Sequence, residues 1–577
     1  MQKVKFGNKE YVPSSYQTKI FVNIEHGTSN MVINAVAGSG KSTTIINALS
    51  LIPSDKKVLF IAFNKDIVES LKMKVGELPN VDIMTYHSLG YSVVRENIKK
   101  EIELDDFKYY TYVRRNANRK EDMSYTAYMS YLKNIDKLID YSRFNLAQSA
   151  VEINKVAKKY NVNLVADECE FVVEALKYGQ TTTNIIDYTD MVWLPYELDF
   201  KTKIHKYDWV FVDEAQDSSM VQQELFKKCL RRGARFCAVG DSSQCINAWA
   251  GADENAFKKF LKMPNTKEFS LPISYRCPNE VINLAKKFVP QIEAKEDAIK
   301  GEIKYGVSPY NPKSGDMVLC RNTFPLVKLY TDYLRINKKS FIRGKDIGND
   351  FIELIERFTP LNNDMLNKSL VSNGLFRELY SHLFKTVDLL IESNGMTENE
   401  AYISEPVMSI YDSILSLETL SEGLTTVTEL KNKIKTIFSD ANSEAICLTT
   451  IHKAKGLEAD NVFILAPSLM PSKFAKQEWE IKSEENLEYV AITRAKKTLN
   501  YISEEDFKVD RGWEFEKNLK IKFKTIREVL GTRPSDIKKT IINVKNCTIT
   551  GNTNNSTTTN TKNKTVGAMK FNKFLKK

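Results

Sequence analysis

The stretch Val32–Ser42, VINAVAGSGKS, decides the fold of this chain. A short apolar run leads into Gly-Ser-Gly-Lys-Ser, and the helix-like sequence TTIINAL follows, so the pattern predicts a strand, a phosphate-binding loop and a helix. Small residues let successive backbone N–H groups turn toward phosphate oxygens, and the helix N-terminus adds its positive dipole end. We therefore expect the chain to bind a nucleoside triphosphate; the alternative is an ordinary turn between a strand and a helix.

The residues of this loop have separate expected roles. Lys41 is expected to reach the β- and γ-phosphates, and the Ser42 hydroxyl to hold Mg²⁺. Ala35 stands where the general pattern has its first glycine. The other residues expected to line the phosphates are Ala37, Gly38, Ser39, Gly40 and Thr43.

Length and composition indicate a multidomain protein. A chain of 577 residues exceeds what one hydrophobic core supports, and three or four domains are expected. No run of about 18 apolar residues and no apolar signal core occur, so we expect no membrane contact and a cytoplasmic location, in the host if a phage encodes the chain. Eight scattered cysteines form no C-x-x-C pair, and only five histidines are present, which argues against a zinc or iron–sulfur site.

The net charge of +10 is concentrated at the C-terminus. Nine lysines and no acidic residue follow Asp536, so the preceding body carries about one net positive charge. A nucleic-acid groove in the body must then be a local patch. The Asn/Thr-rich segment 540–577 is predicted to be disordered, and its apolar end MKFNKFL is either a docking peptide for a single-strand-binding protein or sliding clamp, or a tether without function.

Apolar strand-like runs alternate with helical patterns along most of the chain. This alternation predicts an α/β fold with parallel sheets and function at the carboxyl ends of the strands. Two α/β units are expected, each interrupted by a mainly helical insertion. The expected boundaries are 1–90 and 181–270 for the first unit, 91–180 for its insertion, 271–345 and 441–510 for the second unit, 346–440 for its insertion, 511–539 for a helical extension and 540–577 for the tail.

Acidic and amide side chains follow two of the predicted strands. Asp213 and Glu214 end the run VFVDE, where Asp213 can hold Mg²⁺ and Glu214 can polarise the attacking water. Gln244 follows a later strand in VGDSSQ, where its amide can contact the γ-phosphate. Asp187 and Asp190, in IDYTDM, are interpreted as structural rather than as a metal pair.

Eight motifs in order resemble those of superfamily 1 helicases, most closely the UvrD/Rep/PcrA group. They lie between Gln17 and Lys497 and read AGSGKS, IAFNK, TYHS, VFVDEAQD, VGDSSQCINAWAGA, ISYR, TTIHKAKGLE and YVAITRA. The resemblance implies two RecA-like P-loop NTPase motor domains. It also implies an ATP hydrolase that uses Mg²⁺ and moves 3′→5′ along single-stranded DNA.

The resemblance also implies nucleotide-contacting roles for residues far from the loop. Gln17 would read the adenine edge, and Tyr275 would stack on adenine. Arg276 would reach the γ-phosphate, and Arg494 would be an arginine finger supplied by the second α/β unit. Glu458 is similar to the acid that holds the ribose hydroxyl, and Gly456 would permit close approach of the backbone to the nucleotide.

Contacts with single-stranded DNA are implied for a second set of residues. Phe63 and Trp249 match positions that face the bases, where stacking is sequence-tolerant. Asn247 and Ala250 stand where relatives usually carry an aromatic residue and an arginine, so we expect a thinner stack around Trp249. The remaining candidates lie near phosphates in the first unit or belong to the second, and they are Asn64, Lys65, Thr85, His87, Thr450 and His452.

Several alternatives remain open at this point. The chain is expected to act as a monomer on single-stranded DNA and on junctions between single and double strands. A 5′→3′ or RNA-directed superfamily 1 helicase is the alternative within enzymes. The alternative from another class is an ATP-driven protein that strips other proteins from DNA without efficient unwinding. Nuclease-like acidic patterns are absent from the C-terminal sequence.

Overall fold

The computed structural model of the chain divides into two compact units. It describes residues 4–6, 9–75, 78–117, 125–162, 166–198, 204–359, 364–367, 370, 374–439, 444–507 and 513–531. The first unit comprises Met1–Ile303, Lys455–Asn461 and Met470–Leu499, and the second comprises Lys304–Ala454, Val462–Leu469 and Asn500–Lys577.

A six-stranded parallel sheet forms the centre of the first unit. Its strands follow the spatial order Thr266–Leu271, Asn30–Ala35, Leu230–Gly240, Tyr207–Val212, Val58–Ala62 and Val81–Thr85. Runs such as VLFIA at 58–62 are buried at every position, as expected where helices cover both faces of a parallel sheet. The carboxyl ends of these strands therefore bring the phosphate loop, Asp213 and Asp241 to one edge.

Helices surround this sheet and fill the insertion between its strands. Short strand pairs join Val4–Phe6 to Lys9–Tyr11, Glu103–Leu104 to Ile185–Ile186, and Ile273–Ser274 to Glu293–Ala294. The helices are Ser15–His26, Lys41–Ser50, Lys65–Val75, Tyr86–Asn97, Lys108–Asn116, Tyr125–Asn145, Ala150–Lys159, Ala166–Thr181, Tyr188–Glu197, Met220–Cys229, Ala256–Leu261, Asn279–Ala285 and Glu478–Ile492, with 3-10 turns at Ala215–Asp217, Ser242–Gln244 and Ala248–Ala250.

A seven-stranded sheet contains the strands of the second unit. Its order is Glu302–Val307, Ala495–Ile502, Ala459–Ile464, Met317–Cys320, Ile446–Thr450, Ser340–Arg343 and Phe438–Ser439, and the strands from Ala459–Ile464 onward pair in parallel. The helices are Thr323–Arg335, Lys345–Phe358, Leu375–Asn394, Glu398–Tyr402, Glu405–Leu420, Val427–Ile437 and Trp513–Gly531, with a 3-10 turn at Pro467–Leu469. Leu519, Phe523 and Ile526 of the last helix are buried in the same apolar core as the inserted helices.

The α/β class with parallel sheets is confirmed. The compact units differ from the expected domains in one respect: 271–303, 455–461 and 470–499 group with the first sheet. Contacts with the loops at the edge of that sheet account for part of this grouping, because Tyr275 bonds to Gly38, Lys455 to Asp217 and Tyr489 to Ala37. The exact domain boundaries stay a prediction, and the tail 540–577 lies outside the described residues. No helix in the described ranges is long and apolar enough to span a bilayer.

Asp187 and Asp190, the two acids of the IDYTDM segment, form buried ion pairs. Asp190 accepts from Lys108 at 2.6 Å and from Arg143 at 2.7 Å, and it also accepts from the Tyr109 hydroxyl at 2.8 Å. Asp187 pairs with Arg143 at 2.6 Å. Because each carboxylate already has cationic partners inside the insertion, their role is structural.

Replacing Asp190 with alanine is expected to lower the free energy of unfolding by about 3–5 kcal/mol, because Lys108 and Arg143 would keep buried charges without their shared partner. Urea denaturation followed by circular dichroism measures this change. Glu485→Ala is the matched control, since it removes an exposed ion pair with Lys482 at 3.0 Å and should cost no more than about 1 kcal/mol. Equal destabilisation by the two variants would show that the buried cluster is not a stabilising core.

Candidate nucleotide-binding site

The phosphate loop leaves the strand Asn30–Ala35 and enters the helix Lys41–Ser50. Gly38 and Gly40 have φ angles of 72° and 75°, in the left-handed region that glycine tolerates best. Gly38 also lies against Arg276: a Cβ atom added at Gly38 would come within 2.5 Å of the Arg276 Cβ. The Tyr275 N–H donates to the Gly38 carbonyl at 2.8 Å. The bend after the strand Ile273–Ser274, which carries Tyr275 and Arg276, is therefore hydrogen-bonded directly to the loop.

The loop is built to receive an anion. The Ser39 hydroxyl is buried and has no hydrogen-bond partner among the described residues. Native proteins rarely leave such a group unpaired, so it fits a ligand oxygen. The Ser42 side chain is exposed at the first turn of the helix, where backbone N–H groups and the helix dipole favour phosphate. These features fit the triphosphate expected from the sequence.

Lys41 pairs with Glu214, which follows the strand Tyr207–Val212, two positions from the phosphate-loop strand in the sheet. Its Nζ lies 2.8 Å from Glu214 Oε1, and Gln216 donates to the other Glu214 oxygen at 2.6 Å. Burial opposes ionisation of both partners, but their mutual attraction raises the pKa of Lys41 and lowers the pKa of Glu214. Glu214 has a φ of 49°, a conformation that costs a non-glycine residue about 1–3 kcal/mol and is found at functional sites.

Asp213 directly precedes Glu214, just after the strand Tyr207–Val212. It is buried and accepts the Glu214 N–H at 3.0 Å. Burial, reinforced by the Glu214 carboxylate, raises the pKa of Asp213 to about 6. The two adjacent acids therefore differ in their affinity for a proton, as expected when one is paired with Lys41 and the other is not.

Arg494 is a buried cation without a carboxylate partner among the described residues. Its guanidinium is 1% exposed and donates to the carbonyls of Val490 at 2.9 Å and Leu457 at 3.1 Å. It also reaches Gln244 Oε1 at 3.4 Å, and Gln244 in turn donates to Asp241 at 2.6 Å. Burial, with the neighbouring Arg276, lowers the pKa of Arg494 to about 10.

The position of Arg494 differs from two simpler interpretations of the sequence, and its role as an arginine finger stays a prediction. Without the motif, an arginine at this position would be expected to be a solvated helix residue, yet the side chain is buried. The segment was also expected to belong to the second unit, but it lies in the first compact unit with Lys41 and Gln244. Since a buried guanidinium bonded only to neutral oxygens retains its full charge for an anion, this site favours phosphate.

Arg276 and Glu458 pair with each other at 2.6 Å, and Arg276 also donates to the Thr493 carbonyl at 3.3 Å. Gly456, nearby in sequence, has a φ of 86° and open space around it. The ribose role of Glu458, the close backbone approach at Gly456 and the phosphate role of Arg276 stay predictions, but the structure brings the three residues into the unit that holds the loop.

Tyr275 lies half exposed beside the loop, in a small pocket. The pocket is lined by Ser14, Tyr16, Ser39, Leu271, Pro272, Ile273 and Tyr275. Gln17 is buried, and its amide accepts the Ser14 N–H at 3.0 Å and donates to Thr44 at 2.9 Å. The Gln17 amide thus already has protein partners, so its expected contact with adenine stays a prediction.

Among the residues expected near DNA, the first unit exposes Phe63 and His87. Phe63 is 46% exposed, with the Lys455 ammonium 5.9 Å from its ring, and His87 packs edge-to-face on the exposed Tyr188. Asn64 and Thr85 have local roles as well, because each accepts a backbone N–H in the first turn of the helix that follows it. Lys65 is exposed at the start of its helix.

In the second unit, Thr450 is buried at the end of the strand Ile446–Thr450. His452 follows it, and burial together with Arg321 and Lys453 lowers the pKa of His452 to about 3. The imidazole is therefore neutral at physiological pH and has no cationic charge for phosphate. The Trp249 side chain lies outside the described part of the chain, so its DNA contact stays a prediction.

Two residues of the site were missed by sequence reasoning. Lys455 pairs with Asp217 and donates to the Gln244 carbonyl at 2.8 Å. The Tyr489 hydroxyl accepts the Ala37 N–H at 3.0 Å. Both lie within the motifs TTIHKAKGLE and YVAITRA, but the sequence of a motif does not reveal which residues its lysine or tyrosine contacts in the fold.

Two family models match the chain. The model of the UvrD/REP helicase N-terminal domain matches residues 17–265, and that of the UvrD-like helicase C-terminal domain matches 445–502. The chain is 23% identical to ATP-dependent DNA helicase Rep of Buchnera aphidicola, over 81% of the chain and 91% of that protein.

Two further relatives extend the comparison. ATP-dependent DNA helicase PcrA of Bacillus subtilis is 23% identical, over 81% of the chain and 80% of the relative. F-box DNA helicase protein 1 of Schizosaccharomyces pombe is 25% identical, over 81% of the chain and 55% of the relative. With the phosphate loop, the paired acids and the buried arginine all inside the matched residues, this chain belongs to the UvrD/Rep/PcrA-like superfamily 1 helicases.

Proposed function

We propose that this chain is an ATP-dependent DNA helicase or translocase that moves 3′→5′ on single-stranded DNA and couples ATP hydrolysis to strand separation. The observation that carries the proposal is the buried Arg494, bonded to Gln244 in the same unit as the Lys41–Glu214 pair. That arrangement supplies two cations and an ionised carboxylate to one phosphate site. The relatives are named ATP-dependent DNA helicases, which supports ATP and DNA as the substrates.

The side chains divide the work of hydrolysis between them. Lys41 and Arg494 would offset negative charge on the transferring phosphoryl group, and Glu214, ionised because of Lys41, would orient the attacking water. Ser42 and Asp213 would hold Mg²⁺, which supplies further charge neutralisation when bound. Gln244 would report the presence of the γ-phosphate, because its amide connects Asp241 to Arg494.

DNA would be gripped by exposed rings and nearby polar groups. Phe63 and His87 are exposed in the first unit, and stacking on bases is worth about 1–3 kcal/mol per base without sequence preference. Lys455 connects this surface to the nucleotide site, since it lies over the Phe63 ring and pairs with Asp217. Directed movement would follow if hydrolysis changes the strength of this grip.

Single-stranded DNA is expected to stimulate ATP hydrolysis by the wild-type chain, and Lys41→Ala is expected to lower the rate at least about 100-fold because a charged phosphate contact is lost. A coupled ATPase assay measures both. Lys482→Ala, an exposed lysine far from the loop in sequence, is the control and should retain wild-type activity. No stimulation, with equal rates for wild type and Lys41→Ala, would reject the helicase proposal.

Unwinding of duplexes with a single overhang tests the direction. We expect unwinding of a duplex with a 3′ overhang and none with a 5′ overhang. The reverse result would favour the 5′→3′ alternative. Stimulated hydrolysis that displaces a bound protein but separates neither duplex would favour the protein-stripping alternative.

Asp213 is expected to make Mg²⁺ binding sensitive to pH. Since its pKa is raised to about 6, the carboxylate is ionised at pH 7.5 but mostly protonated at pH 5.5. The Mg²⁺-dependent gain in affinity for a fluorescent ADP analogue should then fall about fourfold more in the wild type than in Asp213→Asn. Phosphate protonation is common to both proteins and cancels. Identical pH profiles would show that Asp213 does not hold the metal.

The tail 540–577, which lies outside the described residues, is expected to add salt-dependent DNA affinity. Deleting it removes seven lysines, so binding to single-stranded DNA should weaken more at low salt than at high salt. Fluorescence anisotropy over a salt series measures the slope. An unchanged slope would reject the phosphate-binding role and leave the docking peptide for a single-strand-binding protein or sliding clamp, which pull-down with the purified partner tests.

A further inference from the structure

The helix Glu478–Ile492 and the turn after it contact the nucleotide site at three points. Asn486 donates to the Cys245 carbonyl at 2.9 Å, and Arg494 reaches Gln244 at 3.4 Å. Between them in sequence, Tyr489 reaches the phosphate loop itself. This segment thus contacts both loops that surround the site, and Tyr489 is the residue that contacts them together.

The Tyr489 hydroxyl acts as acceptor and donor at once. It accepts the Ala37 N–H at 3.0 Å and donates to Asp241 Oδ2 at 3.4 Å. The same Asp241 oxygen accepts the Gln244 amide at 2.6 Å. A tyrosine hydroxyl is suited to this position because it combines one donor with acceptor capacity, whereas phenylalanine would keep the ring and lose both bonds.

The hydroxyl stays protonated in this environment. Tyr489 is 0% exposed, and burial, with the Asp241 carboxylate beside it, raises the pKa of Tyr489 well above its ordinary value. It therefore remains a donor to Asp241 throughout the physiological pH range. Apolar packing accounts for the buried ring but not for a hydroxyl placed between a loop amide and a carboxylate.

We propose that Tyr489 is a positioning residue that sets the spacing between the phosphate loop and the Gln244 loop. This inference rests on the proposed ATP hydrolysis. Through Asp241, Tyr489 holds the Gln244 amide in place, and Gln244 in turn contacts Arg494. Without the hydroxyl, the loop amides and Lys41 still bind phosphate, but Gln244 and Arg494 lose their fixed distance from it.

The expected effect is on turnover rather than on binding. Tyr489→Phe should lower the DNA-stimulated kcat about fivefold to tenfold, the range for one or two hydrogen bonds that hold a reacting geometry. The KM for ATP should change less than about twofold, because the groups expected to contact the phosphates remain. A purely structural role would instead lower stability without this split between kcat and KM.

Tyr380→Phe is the matched control. Tyr380 is also fully buried and donates to a carboxylate, Glu418 at 3.0 Å, but it lies in the second unit. The Tyr380→Phe variant should therefore have the kcat and KM of the wild type. Unchanged kcat in Tyr489→Phe, or equal loss in both variants, would overturn the proposal.

A double variant tests the route through Gln244. If Tyr489 acts by holding Gln244, then adding Tyr489→Phe to Gln244→Ala should cost less than about twofold in kcat. Full additivity of the two losses would overturn this route.

Hydrogen exchange separates this proposal from the proposed function. In the nucleotide-free protein, the peptide that contains Ala37 should exchange faster in Tyr489→Phe than in the wild type or Tyr380→Phe. An inactive wild type would reject the ATPase proposal alone, and the exchange rate would still decide whether Tyr489 fastens the loop. Unchanged exchange at Ala37 would overturn the positioning role.

Discussion

The ion pair between Lys41 and Glu214 is the interaction on which the rest of the site depends. Each partner comes from the end of a different strand of one parallel sheet, and the two atoms meet at 2.8 Å. Because all six strands run in the same direction, their carboxyl ends lie at one edge of the sheet. The loops that carry Lys41 and Glu214 therefore start close enough together for the two side chains to pair. Each partner favours the charged form of the other despite burial, so the site contains a cation and a carboxylate side by side.

Two groups of buried cations in the first unit differ in whether nearby carboxylates neutralise their charge. In the insertion, Arg143 and Lys108 are neutralised by Asp187 and Asp190, which leaves no charge for a ligand. Arg494 has no such partner among the described residues and donates only to neutral oxygens. Burying a charge without a counterion is costly, so such an arrangement is expected where a ligand supplies the opposite charge. The neutralised cluster therefore stabilises the fold, whereas the charge of Arg494 is open to the proposed phosphate ligand.

Local sequence predicted much of this protein, for identifiable reasons. The strand Asn30–Ala35 and the helix Lys41–Ser50 lie where the apolar run and the glycine loop placed them. The positions of Asp213 and Glu214 at the end of a strand were also predicted, because both acids directly follow an apolar run along the chain. Gln17 illustrates the limit: its bond to Ser14 is a local helix cap, but its bond to Thr44 comes from the packing of two helices.

The sequence by itself determined the α/β class, the phosphate loop, the paired acids and the family, because each is encoded by residues that are adjacent along the chain. Only the tertiary structure decided that Arg494 is buried beside Gln244, that Lys455 joins Asp217, and that Tyr489 holds the phosphate loop. Those contacts join residues separated by more than 200 positions, so their geometry depends on how sheets and helices pack rather than on any local pattern.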